Sequence, residues 1–489
     1  MKVHAQGRLP TNGQDAKILI LGAGPTGLGA ARQLELNGHS SWMLLEAQSE
    51  AGGLAASFVD DEGFTWDVGG HVQFSHYAYF DAAMQEFLGA DGWLHHQRES
   101  WVWMRERFIP YPLQSNIHHL PADDQAHCLQ GLVKIAASTR VKPANFGQWI
   151  ETTFGAGIAE IFMRPYNSKV WAYPPELMNA DWVGERVAVT DIALLSKGLA
   201  LKTDDRSWGP NNTFQFPKHG GTGAIWRACA KHLPAEKLRF NTPVSRIDLD
   251  RHEVGTEDGQ TFHYDTLIST MPLHDLIRHS KQSHLKPTAE RGLLHSSSNI
   301  IGLGLRGQPT TELATKSWMY FPEENCPFYR VTVYSNFSPN NVPDSAQYWS
   351  LMCEVSESRH KPVDPSTLLE QVIQGALNTR LIHRREDIVS TWCYRANYGY
   401  PTPGLHRDEA LTQIIPYFEQ HDVYSRGRFG LWKYEVSNQD HSFMQGVELI
   451  ERLLHGRPEL TAFDPGHVNA RKHPWPFERW EGLQAGKIG

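Results

Sequence analysis

Gly22, Gly24 and Gly27 follow the spacing Gly-x-Gly-x-x-Gly, with Pro25 and Thr26 between the last two. Glycines so spaced permit a tight turn and let the backbone approach a pyrophosphate, whose charge a following helix N-terminus attracts. Glu46 stands 19 residues after Gly27. About 20 is the distance expected of a carboxylate that takes the ribose hydroxyls of a dinucleotide. The glycine pattern alone is a weak signal, so its structural setting decides its worth.

That setting is right for a nucleotide site. The apolar run from Ile18 to Leu21 predicts a strand that runs into Gly22; a helical stretch follows to Asn37, and Gly38 ends it. A second strand, Trp42 to Leu45, then delivers Glu46, which completes a β-α-β unit. Gly220-Gly221-Thr222-Gly223 follows a Pro-Lys-His loop instead of a strand, so no second Rossmann unit is expected. The pattern from about Gly131 to Leu201 is mainly helical. Strands are predicted near Val244–Leu249 and Thr266–Thr270, and again at Ile300–Leu305, Tyr329–Tyr334 and Tyr348–Val355, where a substrate-facing sheet is expected. A last helix should follow Asn438-Gln439-Asp440, carry the apolar period from Phe443 to Leu454, and stop at Gly456.

Composition narrows the partners. The formal net charge is -8 and basic residues form no blocks, which argues against nucleic acid. Five cysteines without a Cys-x-x-Cys pair predict reduced, mostly buried thiols. His95-His96 and His118-His119 lack a third ligand at a close spacing, so no metal site is expected. No stretch is long and apolar enough to predict a membrane span, and residues 1–15 read as a disordered tail without a secretory signal, so a cytoplasmic protein is expected.

Gly52-Gly53-Leu54-Ala55 and Trp66-Asp67-Val68-Gly69-Gly70-His71 resemble the FAD-binding segments of the protoporphyrinogen and amine oxidase class. Beyond them the chain resembles the eukaryotic, fungal-like UDP-galactopyranose mutases from about Ala16 to Leu454. The resemblance rests on Gly69-Gly70-His71-Val72-x-Phe74-Ser75-His76-Tyr77, Arg164-Pro165-Tyr166-Asn167-x-Lys169-Val170-Trp171 and Gly184-Glu185-Arg186-Val187-Ala188. Cys326-Pro327-Phe328-Tyr329-Arg330, Gly399-Tyr400-Pro401-Thr402-Pro403 and Tyr434-Glu435-Val436-x-Asn438-Gln439-Asp440-His441-Ser442-Phe443 carry it further. The implied fold class is α/β: a Rossmann-like FAD-binding domain (16–115, 206–290 and 406–489), an inserted helical domain (116–205) and an antiparallel-sheet substrate domain (291–405).

The resemblance also implies a site. Arg186 and Arg330 would clasp the diphosphate of a UDP-sugar through paired hydrogen bonds, unless each is spent on a carboxylate such as Glu185 or Glu354. Tyr320, Tyr400 and Tyr434 would contact phosphate, Asn167 and Trp171 the UDP and sugar, and Tyr111 and Gln114 the uracil, with Phe74 and Asn211 completing the substrate set. Leu113 stands where a phenylalanine is common, and the 336–348 loop is shorter than in fungal members. Gly53, Leu54, Gly69, Gly70, His71 and Val244 would bind FAD beside the glycine turn. Asn438, Gln439, Asp440 and Ser442 would meet it at a helix N-terminus; Asn438 or Asp440 is equally read as an ordinary N-cap, and Arg428 as a cation near the cofactor or a surface ion pair. His71 would tune the reduced flavin or simply pack.

In the implied reaction, reduced FAD N5 attacks the anomeric carbon and UDP leaves, so UDP-galactopyranose and UDP-galactofuranose interconvert with no net redox change. NADPH is the implied reductant, docking in the substrate cleft. A flavin oxidase or desaturase of the same fold class, and a non-catalytic nucleotide-sugar sensor, are the competing readings. UDP-arabinopyranose would suit a similar pocket, and a homo-oligomer is compatible with the sequence.

Overall fold

The computed structural model describes residues 17–473 apart from 139–141, 190, 206–208, 210 and 211. The tail expected at 1–15 and the candidate Asn211 lie outside the described residues.

The β-α-β unit forms as its pattern dictates. Ile18–Leu21 and Trp42–Leu45 pair in parallel in a five-stranded sheet whose order is 423–425, 266–269, 18–21, 42–45, 238–239. Ile18 to Leu21 are buried without alternation, as a parallel strand covered on both faces requires. The helix Pro25–Leu36 starts on proline and ends before Gly38 at φ +69°. It packs on the last long helix, Gln439–His455, at unusually close range. A Cβ at Gly29 would lie 2.4 Å from the Phe443 carbonyl oxygen, and one at Gly446 would lie 2.0 Å from that of Thr26. These two glycines set the distance between the helices and hence where the 439–455 helix begins.

The larger sheet has seven strands in the order 388–401, 295–306, 348–357, 330–333, 318–320, 100–104, 107–110. Neighbours run antiparallel except 318–320 and 100–104, which are parallel. Two strands from before the helical segment therefore extend the sheet. Gly302 and Gly304 bare its surface so that Trp66 and Phe64 lie against it; a Cβ at either would come within 2.7 Å of a ring atom. The helical region (Ala122–Ala136, Phe146–Ile158, Arg164–Trp171 and Ile192–Leu201) gathers its own core around Phe146, Phe154, Phe162 and Trp171.

All five cysteines are free, four of them buried and Cys393 exposed. Among the described residues no helix is long and apolar enough to cross a membrane.

Candidate active site

A single cavity of about 1190 Å³ runs from the glycine turn to the face of the seven-stranded sheet. Pockets for one drug-sized ligand span about 300–1,000 Å³, so this space suits a large cofactor together with a second ligand.

One end is built by the parallel sheet. Gly22 turns at φ +103° and Gly24 opens the helix with no side-chain cap, so the helix N-terminus is left to the cavity. A Cβ at Gly24 would have only the Gly52 carbonyl oxygen within 4 Å, at 3.9 Å, whereas one at Gly27 would sit 1.9 Å from the Gly22 oxygen. Gly24 thus faces open space and Gly27 holds the turn against the helix. Pro25, Thr26, Gly53, Leu54 and Val244 line the same end. Glu46 does so too, but both of its oxygens also pin the loops: Oε2 accepts from the Ala23 N–H at 2.6 Å and Oε1 from the Gln48 N–H at 2.9 Å. An open glycine turn, an uncapped helix N-terminus and a strand-end carboxylate fit the pyrophosphate and ribose of a dinucleotide.

The middle of the cavity is closed by the 69–77 segment against the 439–455 helix. Gly69 takes φ +103°, and the Gly70 N–H donates to Glu354 Oε1 at 3.1 Å. Burial, with Arg428 and Arg330 nearby, pushes the His71 imidazole down to about 4, so it is neutral at pH 7; its Nδ1 is buried without a partner. Neither Asn438 nor Asp440 caps the helix they open. Asn438 Oδ1 instead accepts from Arg186 Nη1 at 2.9 Å. Asp440 Oδ2 takes the His76 N–H at 3.0 Å and lies 2.7 Å from His76 Nδ1. Burial opposes ionisation of Asp440, but His441 and His76 outweigh it and hold the carboxyl below its usual range. The helix N-terminus is left uncapped toward the cavity, where Gln439, Asp440 and Ser442 line it.

The far wall is a crosswise row of the large sheet. Register places Tyr320 opposite Arg330, Arg330 opposite Glu354, Glu354 opposite Ile300, and Ile300 opposite Tyr394, and all five line the cavity. Arg330 donates to Glu354 through Nε at 2.7 Å and Nη2 at 2.9 Å, and the Tyr329 hydroxyl donates to the same carboxylate at 2.7 Å. Arg186 Nη2 donates to the Glu435 carbonyl at 2.9 Å, and its guanidinium lies 5.3 Å from the Tyr434 ring centre. Arg428 donates to Ser437 Oγ at 2.8 Å and the Gly399 carbonyl at 3.0 Å, and stacks 5.0 Å from the Tyr400 ring centre. It is therefore a half-buried cation on the wall and not half of a surface ion pair. Arg98, which carries no local sequence signal, lines the same region 5.8 Å from the Tyr111 ring centre. Guanidinium groups of Arg98, Arg186, Arg330 and Arg428 among the phenols of Tyr111, Tyr320, Tyr400 and Tyr434 give this end the donors that an anion would take.

Phe74, Tyr111, Tyr320, Tyr400 and Tyr434 reach the cavity. Other candidates stand behind it. Trp171 is buried, its ring 4.8 Å from Tyr434 and 5.7 Å from Tyr400. Asn167 donates to the Met163 carbonyl at 2.7 Å, and Gln114 to that of Ala188 at 2.7 Å. Leu113 is fully buried in the helical core and does not line the cavity.

The chain matches the family model described as flavin containing amine oxidoreductase over residues 25–413. It is similar to a solved structure of a reduced UDP-galactopyranose mutase, with 48% identity, a TM-score of 0.91, and coverage of 94% of this chain and 99% of that one. It is also similar in fold to a fatty acid isomerase from P. acnes, at 15% identity and TM-score 0.60, covering 90% of this chain and 99% of that one.

Proposed function

The chain belongs to the UDP-galactopyranose mutase family, within the flavin-containing amine oxidoreductases, and from that premise we propose that it interconverts UDP-galactopyranose and UDP-galactofuranose at this cavity without net redox change. FAD is the cofactor of the family. The glycine turn, Glu46, the 69–71 segment and the N-terminus of the 439–455 helix would hold it. When bound and reduced, FAD supplies a nucleophilic N5 for the anomeric carbon.

The chain's own groups account for the rest. Arg186, whose partners are neutral oxygens, and Arg330, which Glu354 holds through Nε and Nη2 only, stabilise the diphosphate as it takes up charge on leaving, and groups already fixed in place do this without reorganising. Burial raises the Tyr320 and Tyr400 phenols, which keeps them protonated as hydrogen-bond donors to phosphate. A neutral His71 adds no charge beside the cofactor. Asn438 fixes Arg186, so the anion site and the cofactor site are mechanically joined. Since the described residues contain no second strand–glycine turn–helix unit, NADPH is assigned to the same cavity as reductant.

The observation that carries the reading is the union of a dinucleotide cradle and a guanidinium-phenol wall in one cavity of about 1190 Å³. The test is product analysis: reduced protein given UDP-galactofuranose should yield UDP-galactopyranose, and failure with a flavin-loaded sample would remove the assignment.

A further inference from the structure

The segment carrying Arg186 is fastened to one short stretch of chain at three successive points. Two 3-10 turns, Leu113–Ser115 and Ile117–His119, lie side by side. From them Gln114 holds the Ala188 carbonyl at 2.7 Å. Asn116 holds both main-chain groups of Asp205, donating at 2.7 Å and accepting at 2.8 Å. His118 and His119 both turn Nε2 to one oxygen, Asp204 Oδ1, at 3.1 and 2.7 Å. None of these last three residues lines the cavity.

We propose that His118, His119 and Asp204 form a binding site for a zinc-class divalent ion that clasps the 184–205 segment to the 113–119 turns. Two imidazole nitrogens and a carboxylate are the ligand types such an ion prefers. The three ligand atoms all lie within 4.8 Å of one another. The two nitrogen–oxygen separations, 3.1 and 2.7 Å, approach the edge of about 3.3 Å in a tetrahedron with bonds of about 2.0–2.1 Å. Side-chain exposures of 37% at His119 and 28% at Asp204 leave an entry path from solvent. The third ligand follows the histidine pair by 85 positions, which is why spacing conceals it. Among the described residues the other grouping of this kind, His76, Asp440 and His441, includes Asp440 of the cavity wall. The inference does not depend on the mutase reading.

The experiment uses tag-free, FAD-loaded full chain stripped with a chelator, then titrated with Zn²⁺ by calorimetry and with Co²⁺ by visible absorption. One equivalent of either ion is expected, with the intense d–d band of low-symmetry cobalt. His119→Gln and Asp204→Asn change solvent-accessible side chains, and flavin content reports their folding; each should raise Kd by at least about 100-fold. His467→Ala should leave binding intact, because His467 pairs instead with His473, their ring centres 4.8 Å apart. Absence of saturable binding, or binding unchanged in both His119→Gln and Asp204→Asn, would overturn the site. So would binding lost in His467→Ala.

Discussion

Arg330 and Glu354 stand directly opposite each other on adjacent strands, and their side chains close a two-bond fork at 2.7 and 2.9 Å. The same carboxylate takes the Gly70 N–H and the Tyr329 hydroxyl, so one buried anion fixes a cavity-lining cation and the turn that carries His71. Glu354 is therefore the element through which the sheet sets the geometry of both halves of the cavity.

The two clasp arginines should behave differently when removed. Arg330→Ala leaves Glu354 buried without its counter-ion, which costs about 3–5 kcal/mol of stability in addition to any loss of binding. Arg186 is held by a carbonyl and an amide oxygen instead. Arg186→Ala should weaken UDP binding by roughly 30-fold, the equivalent of about 2 kcal/mol, while flavin content and melting temperature change little. Calorimetry with UDP, flavin absorbance and thermal unfolding on both variants check this. Normal UDP affinity in both would make the arginines purely structural.

Gly24 and Gly27 offer a cleaner contrast. A side chain at Gly24 meets open space in the protein but fills the cradle, whereas at Gly27 it strikes the Gly22 carbonyl. Gly24→Val should fold and lose FAD; Gly27→Val should fail to fold or melt far lower. Flavin absorbance and circular dichroism separate the outcomes. A folded Gly24→Val protein with full flavin would refute the pyrophosphate assignment.

These glycines also mark what is legible in sequence. The 18–46 unit is local: four apolar residues, a turn spacing and a helical period place each other without reference to the rest of the chain. The row from Tyr320 through Arg330 and Glu354 is not, because register across the large sheet is set by pairings between distant strands. The parallel entry of the 100–104 strand has no local signature either. Arg186 was recognisable as a candidate, but its contact with Asn438 spans 252 positions. Gly29 and Gly446 look like helix-weakening residues until the helix crossing they permit is seen. The resemblance implies Gln114, Asn167 and Trp171 as substrate residues; none of them lines the cavity, Gln114 and Asn167 donating to the Ala188 and Met163 carbonyls and Trp171 packing on Tyr434.

Acid should weaken the fold through His295. Burial, reinforced by His274 and Arg395, lowers its imidazole to about 4 from 6.5. The folded state therefore stays neutral while the unfolded state protonates, so this contribution is whole above about pH 6.5 and is lost as pH falls toward about 4. At about pH 5 the loss is about 2 kcal/mol. His295→Phe keeps a ring beside Tyr398 and Trp432, whose centres are 4.7 and 5.9 Å away. Urea unfolding at about pH 7.5 and about pH 5 should show a smaller pH effect in His295→Phe than in wild type; an equal effect would mean that His295 is not neutral in the fold.

The most discriminating prediction concerns electrons. Pyranose and furanose forms of one nucleotide sugar have the same oxidation state, so a mutase needs its flavin reduced but consumes no reductant per turnover. An oxidase of the same fold class withdraws a hydride from every substrate molecule, which demands one acceptor per product. Under anaerobic conditions the enzyme is reduced once, by dithionite or by NADPH, and given excess UDP-galactofuranose. Many molecules of UDP-galactopyranose per flavin are expected, with the flavin still reduced at the end and no activity from the oxidised enzyme. The dithionite arm tests the reaction and the NADPH arm tests only the electron donor, so turnover with dithionite alone would discard NADPH and keep the mutase. One electron pair lost per product, or equal activity with oxidised FAD, would instead assign the cavity to net redox chemistry.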